Sequence, residues 1–284
     1  MPDQRGPEQQ GPGQPSVLVT REGRTLVITI DRPAVRNAVD VETAHALAGA
    51  LDLLDGDDGL SVGILTGAGG SFSAGMDLKA FLQTGQRPEV AGRGLAGMTR
   101  TPPAKPLIAA VEGFALAGGF EMVLSCDLVV ASREASFGLP EVRRGLIAGS
   151  GGLIRLPHRI PGVRVSFETW GHLSPAGDNA ILVEHALTGE PLSAVDAHRW
   201  GLVNRLAEPG QALAEALLLA DKVAANGPLA VRVTKQVMTA ATVLGNAEAW
   251  VLQDEVLLTV VDSHDAREGS AAFVEKRQPV WQGR

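Results

Sequence analysis

The stretch PLIAAVEGFALAGGFEMVLSCDLVVAS, residues 106–132, carries the clearest signal of secondary structure in the chain. Residues 106–113 and 127–132 are apolar runs of strand length, and the residues from Gly119 onward between them have the character of a short helix. Strands alternating with helices through short connections are typical of α/β proteins. The stretch therefore predicts an α/β fold.

A single glutamate, Glu121, interrupts the apolar part of this stretch directly after two glycines. Burying an ionised carboxylate among apolar side chains costs on the order of several kcal/mol unless something compensates it. Glu121 therefore either faces solvent or takes part in chemistry.

The same alternation extends in both directions from this stretch. Apolar periodicity and turn residues predict strands at 16–20, 25–30 and 61–66, a helix at 41–54 and a short helix at 192–201. After residue 208 the pattern becomes helical, and the apolar residues there need a partner surface, on the chain's own core or on another subunit. We predict a disordered tail at 1–15, a core at 16–208 and a helical C-terminal region at 209–284.

The composition narrows the classes of function. The net charge of −7 argues against generic binding of nucleic acids, which needs a basic surface. Cys126 is the only cysteine, so an intrachain disulfide is excluded, and we expect a buried structural thiol and a cytoplasmic location. No apolar run reaches the roughly 18–20 residues of a membrane helix, and the first residues lack the apolar core of a signal peptide. The histidines show no metal-ligand spacing.

Two glycine-containing loops, at residues 67–81 and 113–121, each follow a predicted strand. Glycines at such turns allow backbone N–H groups to point outward, and a helix N-terminus adds partial positive charge. Brought together, the two loops would form an oxyanion hole with two donors. Each loop alone is better explained as a tight turn, and neither matches a nucleotide-binding motif.

A second carboxylate, Glu141, follows twenty positions after Glu121, within residues 135–152. Two carboxylates beside backbone donors suit the addition or removal of water, because one can activate the water while the other transfers a proton to or from carbon. The alternative is that Glu141 forms a salt bridge with Arg143 or Arg144.

The chain also resembles a known family from about residue 16 to its C-terminus. Five blocks in order resemble the enoyl-CoA hydratase/isomerase (crotonase) superfamily: DRPAVRNAVD, ILTGAGGSFSAGMDLKAF, PLIAAVEGFALAGGFEMVLSCDLVVAS, ASFGLPEVRRGLIAGSGGLIRLP and LTGEPLSAVDAHRWGLVNRL. The SAGMDLKA loop and the ending DAREGSAAFVEKRQPVWQGR are most similar to the carnitinyl-CoA dehydratase (crotonobetainyl-CoA hydratase) branch.

The resemblance implies a fold, an assembly and an activity. The implied fold is the crotonase spiral of repeated ββα units with a C-terminal helical trimerisation region, assembled as a homotrimer or as a hexamer made of two trimers. The implied activity is that of a hydro-lyase of the enoyl-CoA hydratase class, which adds or removes water across the α,β double bond of an acyl-CoA thioester. Coenzyme A enters as part of the substrate, and no metal or other cofactor is implied.

The resemblance also implies the catalytic groups. The backbone N–H groups of Met76 and Gly118 would hold the thioester oxygen. Glu121 would position the water, and Glu141 would give a proton to the α-carbon. The N–H of Gly149 would help to hold the water.

Further positions match segments or residues that contact coenzyme A in the family. Those that match the lining of the adenine pocket are Arg36, Asn37, Ala38, Ser73 and Ala74. Lys79 fits a phosphate or ribose contact, and Lys276 matches a basic residue that a neighbouring subunit supplies in some members. One departure lies beside the hole: Ala117 stands where many members have a third glycine, which we expect to be tolerated because Gly118 is kept.

Two alternatives remain open at the level of the sequence. A Δ3–Δ2 enoyl-CoA isomerase would use the same hole without needing both carboxylates. A non-catalytic scaffold subunit would bind CoA esters without turnover. The acyl group also stays open, although the absence of tyrosine removes one common residue of a cage for a trimethylammonium group.

Overall fold

The computed structural model describes residues 15–159 and 179–284. The tail predicted at 1–15 therefore lies, apart from Pro15, outside the described residues. The strands are β1 (Val17–Glu22), β2 (Thr25–Ile30), β3 (Val62–Gly67), β4 (Glu89–Val90), β5 (Gly94–Leu95), β6 (Leu107–Val111), β7 (Phe114–Leu116), β8 (Leu128–Ser132), β9 (Ser136–Gly138), β10 (Leu192–Ser193) and β11 (Arg205–Ala207).

The helices complete the described part of the chain. They are α1 (Val41–Gly56), α2 (Leu78–Thr84), α3 (Gly118–Ser125), α4 (Gly152–Arg159), α5 (Asn179–Thr188), α6 (Ala194–Arg199), α7 (Ala212–Ala224), α8 (Pro228–Ala241), α9 (Asn246–Val261) and α10 (His264–Glu275), with 3-10 turns at Pro33–Val35 and Pro140–Arg144.

The main sheet contains six strands in the order β1-β2-β3-β6-β8-β11. All neighbouring strands are parallel except the antiparallel pair of β1 and β2. The central strands β3 and β6 are buried on both faces, which explains their continuous apolar sequences. The α/β fold predicted from the sequence is thus confirmed.

Helix α7 covers one face of this sheet. Its alanines Ala212, Ala216 and Ala220 are fully buried and belong to one hydrophobic cluster with Ile64 and Ile108. Small side chains allow the helix to approach the strands closely. The first helix after residue 208 therefore finds its partner surface on the chain's own core.

The last three helices instead leave apolar side chains exposed. Lys235 on α8 fixes this region to the core, because its Nζ donates to the carbonyls of Pro103 (2.7 Å) and Lys105 (2.9 Å) and contacts Asp127 Oδ2 (2.7 Å). The side chains that stay more than half exposed on these helices include Met238, Trp250, Val251, Leu258, Val261, Phe273 and Val274. A cavity of about 540 Å³ lies between these helices and includes neither glutamate in its lining.

A second, smaller sheet in the order β10-β9-β7 positions the two glutamates. Strands β7 and β9 run parallel, with Leu116 opposite Gly138 at their carboxyl ends. The helix predicted at 192–201 is shorter than expected, because Leu192 and Ser193 form β10 against β9 before Ser193 caps α6. Parallel strands end at the same edge, so the segments that follow β7 and β9 meet there.

Candidate active site

The register of short parallel segments places the two predicted oxyanion donors side by side. An isolated parallel bridge pairs Ser73 with Ala115, and three residues further along each segment are Met76 and Gly118. Gly118 opens α3, so its N–H is one of the donors at the helix start that has no acceptor within the helix. The two glycine loops are therefore brought together, which is the condition under which the sequence predicted an oxyanion hole; the hole itself stays a prediction.

The approach of the two loops is close enough to require glycine. Gly75 has φ +88°, and a Cβ placed on it would lie 2.6 Å from the Gly118 nitrogen. A Cβ on Gly118 would lie 3.5 Å from the Met76 nitrogen. A parallel bridge pairs Val39 with Met76. In this bridge the N–H of Val39 donates to the Gly75 carbonyl, and the N–H of Asp77 donates to the Val39 carbonyl. In this parallel geometry the N–H of Met76 points away from Val39.

A buried hydrogen-bond network holds the first loop in shape. Asn37 and Ser73 are fully buried. The amide Nδ2 of Asn37 donates to the carbonyls of Ala68 (2.8 Å) and Ser71 (2.7 Å). Ser73 Oγ donates to the Asn37 carbonyl (2.7 Å) and accepts from the Gly75 N–H (3.1 Å). Both side chains are therefore committed to the loop.

The other residues predicted to bind coenzyme A differ in exposure. Arg36, Lys79 and Lys276 are exposed, Ala74 is partly buried, and Ala38 is buried. Lys276 lies at the end of α10 with φ +56°. Their roles, with those of Asn37 and Ser73, stay predictions.

Arg32, which sequence reasoning missed, ties two helix starts to this loop. Its Nη2 pairs with Asp40 (2.8 Å) and with Asp77 (3.2 Å). Asp40 caps α1 by accepting from Thr43 N–H, and Asp77 caps α2 by accepting from Ala80 N–H. Asp77 directly follows Met76, so this pair fixes the segment that carries the predicted donor.

Glu121 lies in the first turn of α3 and is only 3% exposed. Its Oε1 accepts from the backbone N–H groups of Ser150 (2.6 Å) and Gly152 (2.9 Å). Burial raises the pKa of Glu121, whereas these two N–H groups and the charges of Arg155 and Arg87 act to lower it. Of the two possibilities that the sequence left, the solvent-facing one is wrong.

The loop that holds Glu121 begins at the predicted water-holding glycine. Gly149 lies one residue before Ser150, and a Cβ on it would lie 3.6 Å from Arg87 Nη2. Sequence reasoning named Gly149 but missed Ser150 and Gly152 as donors to Glu121. The available signal was the run of small residues before α4, since a helix start presents several N–H groups. The role of Gly149 stays a prediction.

Glu141 occupies a different environment in the 3-10 turn Pro140–Arg144. Its Oε2 is buried and has no hydrogen-bond partner among the described residues. The pKa of Glu141 is raised to about 7, mainly by burial and also by the charge of Glu121, while the N–H of Glu141 itself and the charge of Arg144 oppose the rise. The predicted alternative of a salt bridge is wrong for both arginines: Arg143 pairs with Glu190, and Arg144 acts on Glu141 through its charge without forming an ion pair with it in the described structure.

The two glutamates therefore form one site with divided properties. The charge of Glu121 acts on Glu141, so the carboxyl groups lie within interaction range. Glu121 has two N–H donors that stabilise its ionised form, whereas Oε2 of Glu141 has no hydrogen-bond donor within the described part of the chain. Two groups whose environments differ in this way suit one base and one acid.

Two further observations concern metal and thiol chemistry. Among residues 15–159 and 179–284, no three His, Cys, Asp or Glu side chains are grouped so as to hold a metal ion. Cys126 is fully buried, and burial raises the pKa of its thiol to about 12. A thiol with this pKa is inert as a nucleophile at neutral pH, in agreement with its predicted structural role.

No helix of the described part is both long and apolar enough to cross a membrane.

Comparison with known proteins identifies the family. The family model described as enoyl-CoA hydratase/isomerase matches residues 20–170 and 177–284. The chain belongs to this family. The resemblance deduced from the sequence and the crotonase fold are both confirmed.

Individual members of the family cover nearly the whole chain. A carnitinyl-CoA dehydratase of Proteus mirabilis is 38% identical over 277 residues, 95% of this chain and 99% of the relative. The crystal structure of an enoyl-CoA hydratase from Mycobacterium tuberculosis has a TM-score of 0.86 at 52% identity, covering 95% of this chain and all of the other. A carnitinyl-CoA hydratase from Mycobacterium avium has a TM-score of 0.71 at 38% identity, with the same coverage. The similarity to the carnitinyl-CoA dehydratase branch is thus confirmed.

Proposed function

We propose that this enzyme, a hydro-lyase of the enoyl-CoA hydratase class, adds and removes water across the α,β double bond of an acyl-CoA with Glu121 as base and Glu141 as acid. The observation that carries these roles is the contrast between the two carboxylates. Glu121 accepts two backbone N–H groups, whereas Glu141 Oε2 is buried with no partner. The first arrangement favours the ionised form and the second favours the protonated form.

The chemistry requires negative charge to be stabilised on the thioester oxygen. We assign this task to the N–H groups of Met76 and Gly118, since donors aimed at developing charge contribute about 10²–10³-fold each to the rate. The closeness of the Gly75–Met76 loop to the Gly118 nitrogen supports the assignment. The start of α3 adds partial positive charge at the same point.

The proton transfers balance within this set of groups. Glu121 takes a proton from water as the water oxygen bonds to the β-carbon, and Glu141 gives its proton to the α-carbon. The double bond is consumed and one molecule of water is added. Glu121 then holds a proton and Glu141 is ionised, and exchange with solvent restores the starting state. Dehydration follows the same path in reverse. The scheme needs no metal and no cofactor beyond the coenzyme A of the substrate.

We assign the binding of coenzyme A to the loops around the hole. Arg36 and Lys79 are exposed cations on an acidic protein, suited to phosphate groups. Asn37 and Ser73 would act by shaping the loop, because their side chains are buried and bonded within it. Lys276 would act from a neighbouring subunit.

We also propose that the enzyme assembles as a homotrimer, or as a hexamer of two trimers, in the cytoplasm. The supporting observation is the set of exposed apolar side chains on α8, α9 and α10, represented by Trp250, Leu258 and Phe273. Such exposure on a soluble monomer is unfavourable, so these side chains are expected to be covered by other subunits.

The test is hydration of two substrates measured side by side. Crotonyl-CoA and crotonobetainyl-CoA differ by a trimethylammonium group, and hydration of either removes the absorbance of the conjugated thioester. We expect turnover of at least one substrate by the wild type and its collapse in Glu121→Gln. Glu134→Gln, which changes an exposed glutamate in the loop before β9, is the matched control and should retain full activity.

The other outcomes identify the competing functions. Binding of both esters without turnover would contradict the hydratase and favour a scaffold subunit. Migration of the double bond in a 3-enoyl-CoA, without uptake of oxygen from labelled water, would favour the isomerase.

A further inference from the structure

The 3-10 turn that carries Glu141 presents different side chains on different sides. With three residues per turn, Glu141 and Arg144 share one side, and Arg143 points elsewhere. The charge of Arg144 acts on Glu141, in agreement with this geometry. Arg143 therefore belongs to the back of the turn, away from the carboxyl group that the reaction uses.

Arg143 bonds this back surface to the residues that follow α5. Its Nε donates to the Thr188 carbonyl (2.9 Å), and its Nη2 pairs with Glu190 Oε1. Between these two residues, Gly189 has φ +69°, and a Cβ on it would lie 3.1 Å from both Pro140 Cα and Arg143 Nε. A side chain at Gly189 would therefore press on Pro140 and Arg143 and would be strained by the positive φ.

The residues that receive Arg143 are themselves fixed. Thr188 Oγ1 donates to the Glu184 carbonyl (2.8 Å) and accepts from Glu190 N–H (3.2 Å). His185 Nδ1 lies 2.9 Å from the Glu190 carbonyl. Two residues later the chain joins β9 through β10, next to the strand that leads into the turn. Arg143 thus connects the turn to a rigid support.

We propose that Arg143 is a positioning residue, which holds Glu141 at the reacting carbon by fastening its turn to Thr188 and Glu190. The inference rests on the proposed role of Glu141 as proton donor. Apart from its own N–H, no hydrogen bond to the Glu141 carboxyl is found among the described residues, and Oε2 has no partner there. Its position is therefore set by the backbone of the turn, and the Arg143 contacts hold that backbone.

If Arg143 only stabilised the fold, its replacement would lower stability without a specific effect on Glu141. The side chains of Arg143 and Glu190 are 47% and 64% exposed, and exposed ion pairs contribute little to the stability of the whole fold. Loss of the pair should therefore leave folding intact and act on the geometry of the turn. A loosened turn also lets water reach Glu141, which moves its pKa from about 7 back toward 4.5.

The experiment compares Arg143→Gln with Arg133→Gln on whichever substrate the wild type hydrates. Arg133 is a matched control, because it forms an equally exposed pair with Glu208 at 2.9 Å. For Arg143→Gln we expect kcat about 10-fold lower, KM within twofold and the loss of activity on the basic side at lower pH. Arg143→Lys should recover part of kcat, because it keeps a cation for Glu190.

Three results would overturn the proposal. In the first, Arg143→Gln matches Arg133→Gln in kcat and pH profile. In the second, kcat falls while the pH profile is unchanged, which shows that Glu141 has not moved. In the third, Glu141→Gln keeps the wild-type rate, which removes the proton donor of the proposed function and with it any need to position Glu141. Glu141→Gln measured alone separates the third case from the first two.

Discussion

The two halves of the site are built in opposite ways. The α3 half, formed by the Gly75–Met76 loop, Gly118 and Glu121, is enclosed and held by backbone hydrogen bonds. The turn half consists of Pro140–Arg144 and includes Glu141. Arg143 binds this turn to the Thr188 carbonyl, while Oε2 of the Glu141 carboxyl has no partner in the described chain. The same side chain, glutamate, therefore meets N–H donors that favour its ionised form in one half and lacks them at Oε2 in the other.

The difference explains how one residue type would supply both the acid and the base of the proposed mechanism. Desolvation raises the pKa of both groups, so burial alone does not separate them. Two N–H donors and two nearby guanidinium groups oppose that rise for Glu121. For Glu141 the negative charge of Glu121 adds to the rise instead. In the proposed mechanism the partners of each carboxyl, and not its burial, divide the roles of base and acid.

The largest effect should come from removing either carboxylate. Glu121→Gln and Glu141→Gln should each lower kcat by about 10²–10⁴-fold, the range typical of general acid–base catalysis. Their pH profiles separate them. Wild-type hydration should fall as pH rises through about 7, because Glu141 must be protonated to act. In Glu141→Gln the fall of the rate with rising pH should disappear. In Glu121→Gln it should occur at lower pH, because the negative charge that helps to raise the pKa of Glu141 is gone. Equal profiles in both variants would contradict the division of roles.

The next largest effect tests whether the Gly75–Met76 loop can move away from Gly118 without loss of activity. Gly75→Ala places a Cβ 2.6 Å from the Gly118 nitrogen and should lower kcat by about 10²–10³-fold by displacing one oxyanion donor. Gly70→Ala is the matched control. Gly70 also has a positive φ, +80°, but a Cβ there has nothing within 4 Å. Similar losses in both variants would attribute the effect to backbone strain and not to the hole.

A smaller effect concerns stability and the turn half. The pKa of Glu141 is raised from 4.5 to about 7, so its contribution to stability is fully present below 4.5 and is lost as pH rises through 7. Glu141→Gln cannot ionise and should raise the melting temperature by about 2 °C at pH 8 and less at pH 5. An equal change at the two pH values would show that Glu141 is not desolvated.

The smallest expected effect concerns backbone strain in the α3 half. Ala117 precedes Gly118 and has φ +51° and ψ −128°, a conformation that favours glycine. Ala117→Gly should release this strain but also increase the conformational entropy of the unfolded chain. We expect the net result to be a melting temperature about 1–2 °C higher. Hydration should be unchanged, since the Gly118 N–H is kept. A lower melting temperature would show that the surroundings accommodate this backbone without strain.

Much of the fold followed from local pattern. The strand at 25–30 and the start of α1 behind Asp40 were predicted to the residue, because their apolar periodicity and capping signals are local. The helix predicted at 192–201 was too long, because Leu192 and Ser193 pair with β9, a partner some 55 residues away. Arg32 was missed because its two partners, Asp40 and Asp77, are distant from one another in sequence.

The sequence by itself determined the α/β class, the family, the two glycine loops and both glutamates. Only the tertiary structure decided which atoms serve each glutamate: Ser150 and Gly152 for Glu121, and no other residue of the described chain for Glu141 Oε2. Hydrogen-bond partners and desolvation depend on residues brought together by the register of β7 and β9, and sequence spacing does not contain that register. Because these contacts influence the pKa of each carboxyl, the physical basis of the proposed division into base and acid is found only in the folded chain.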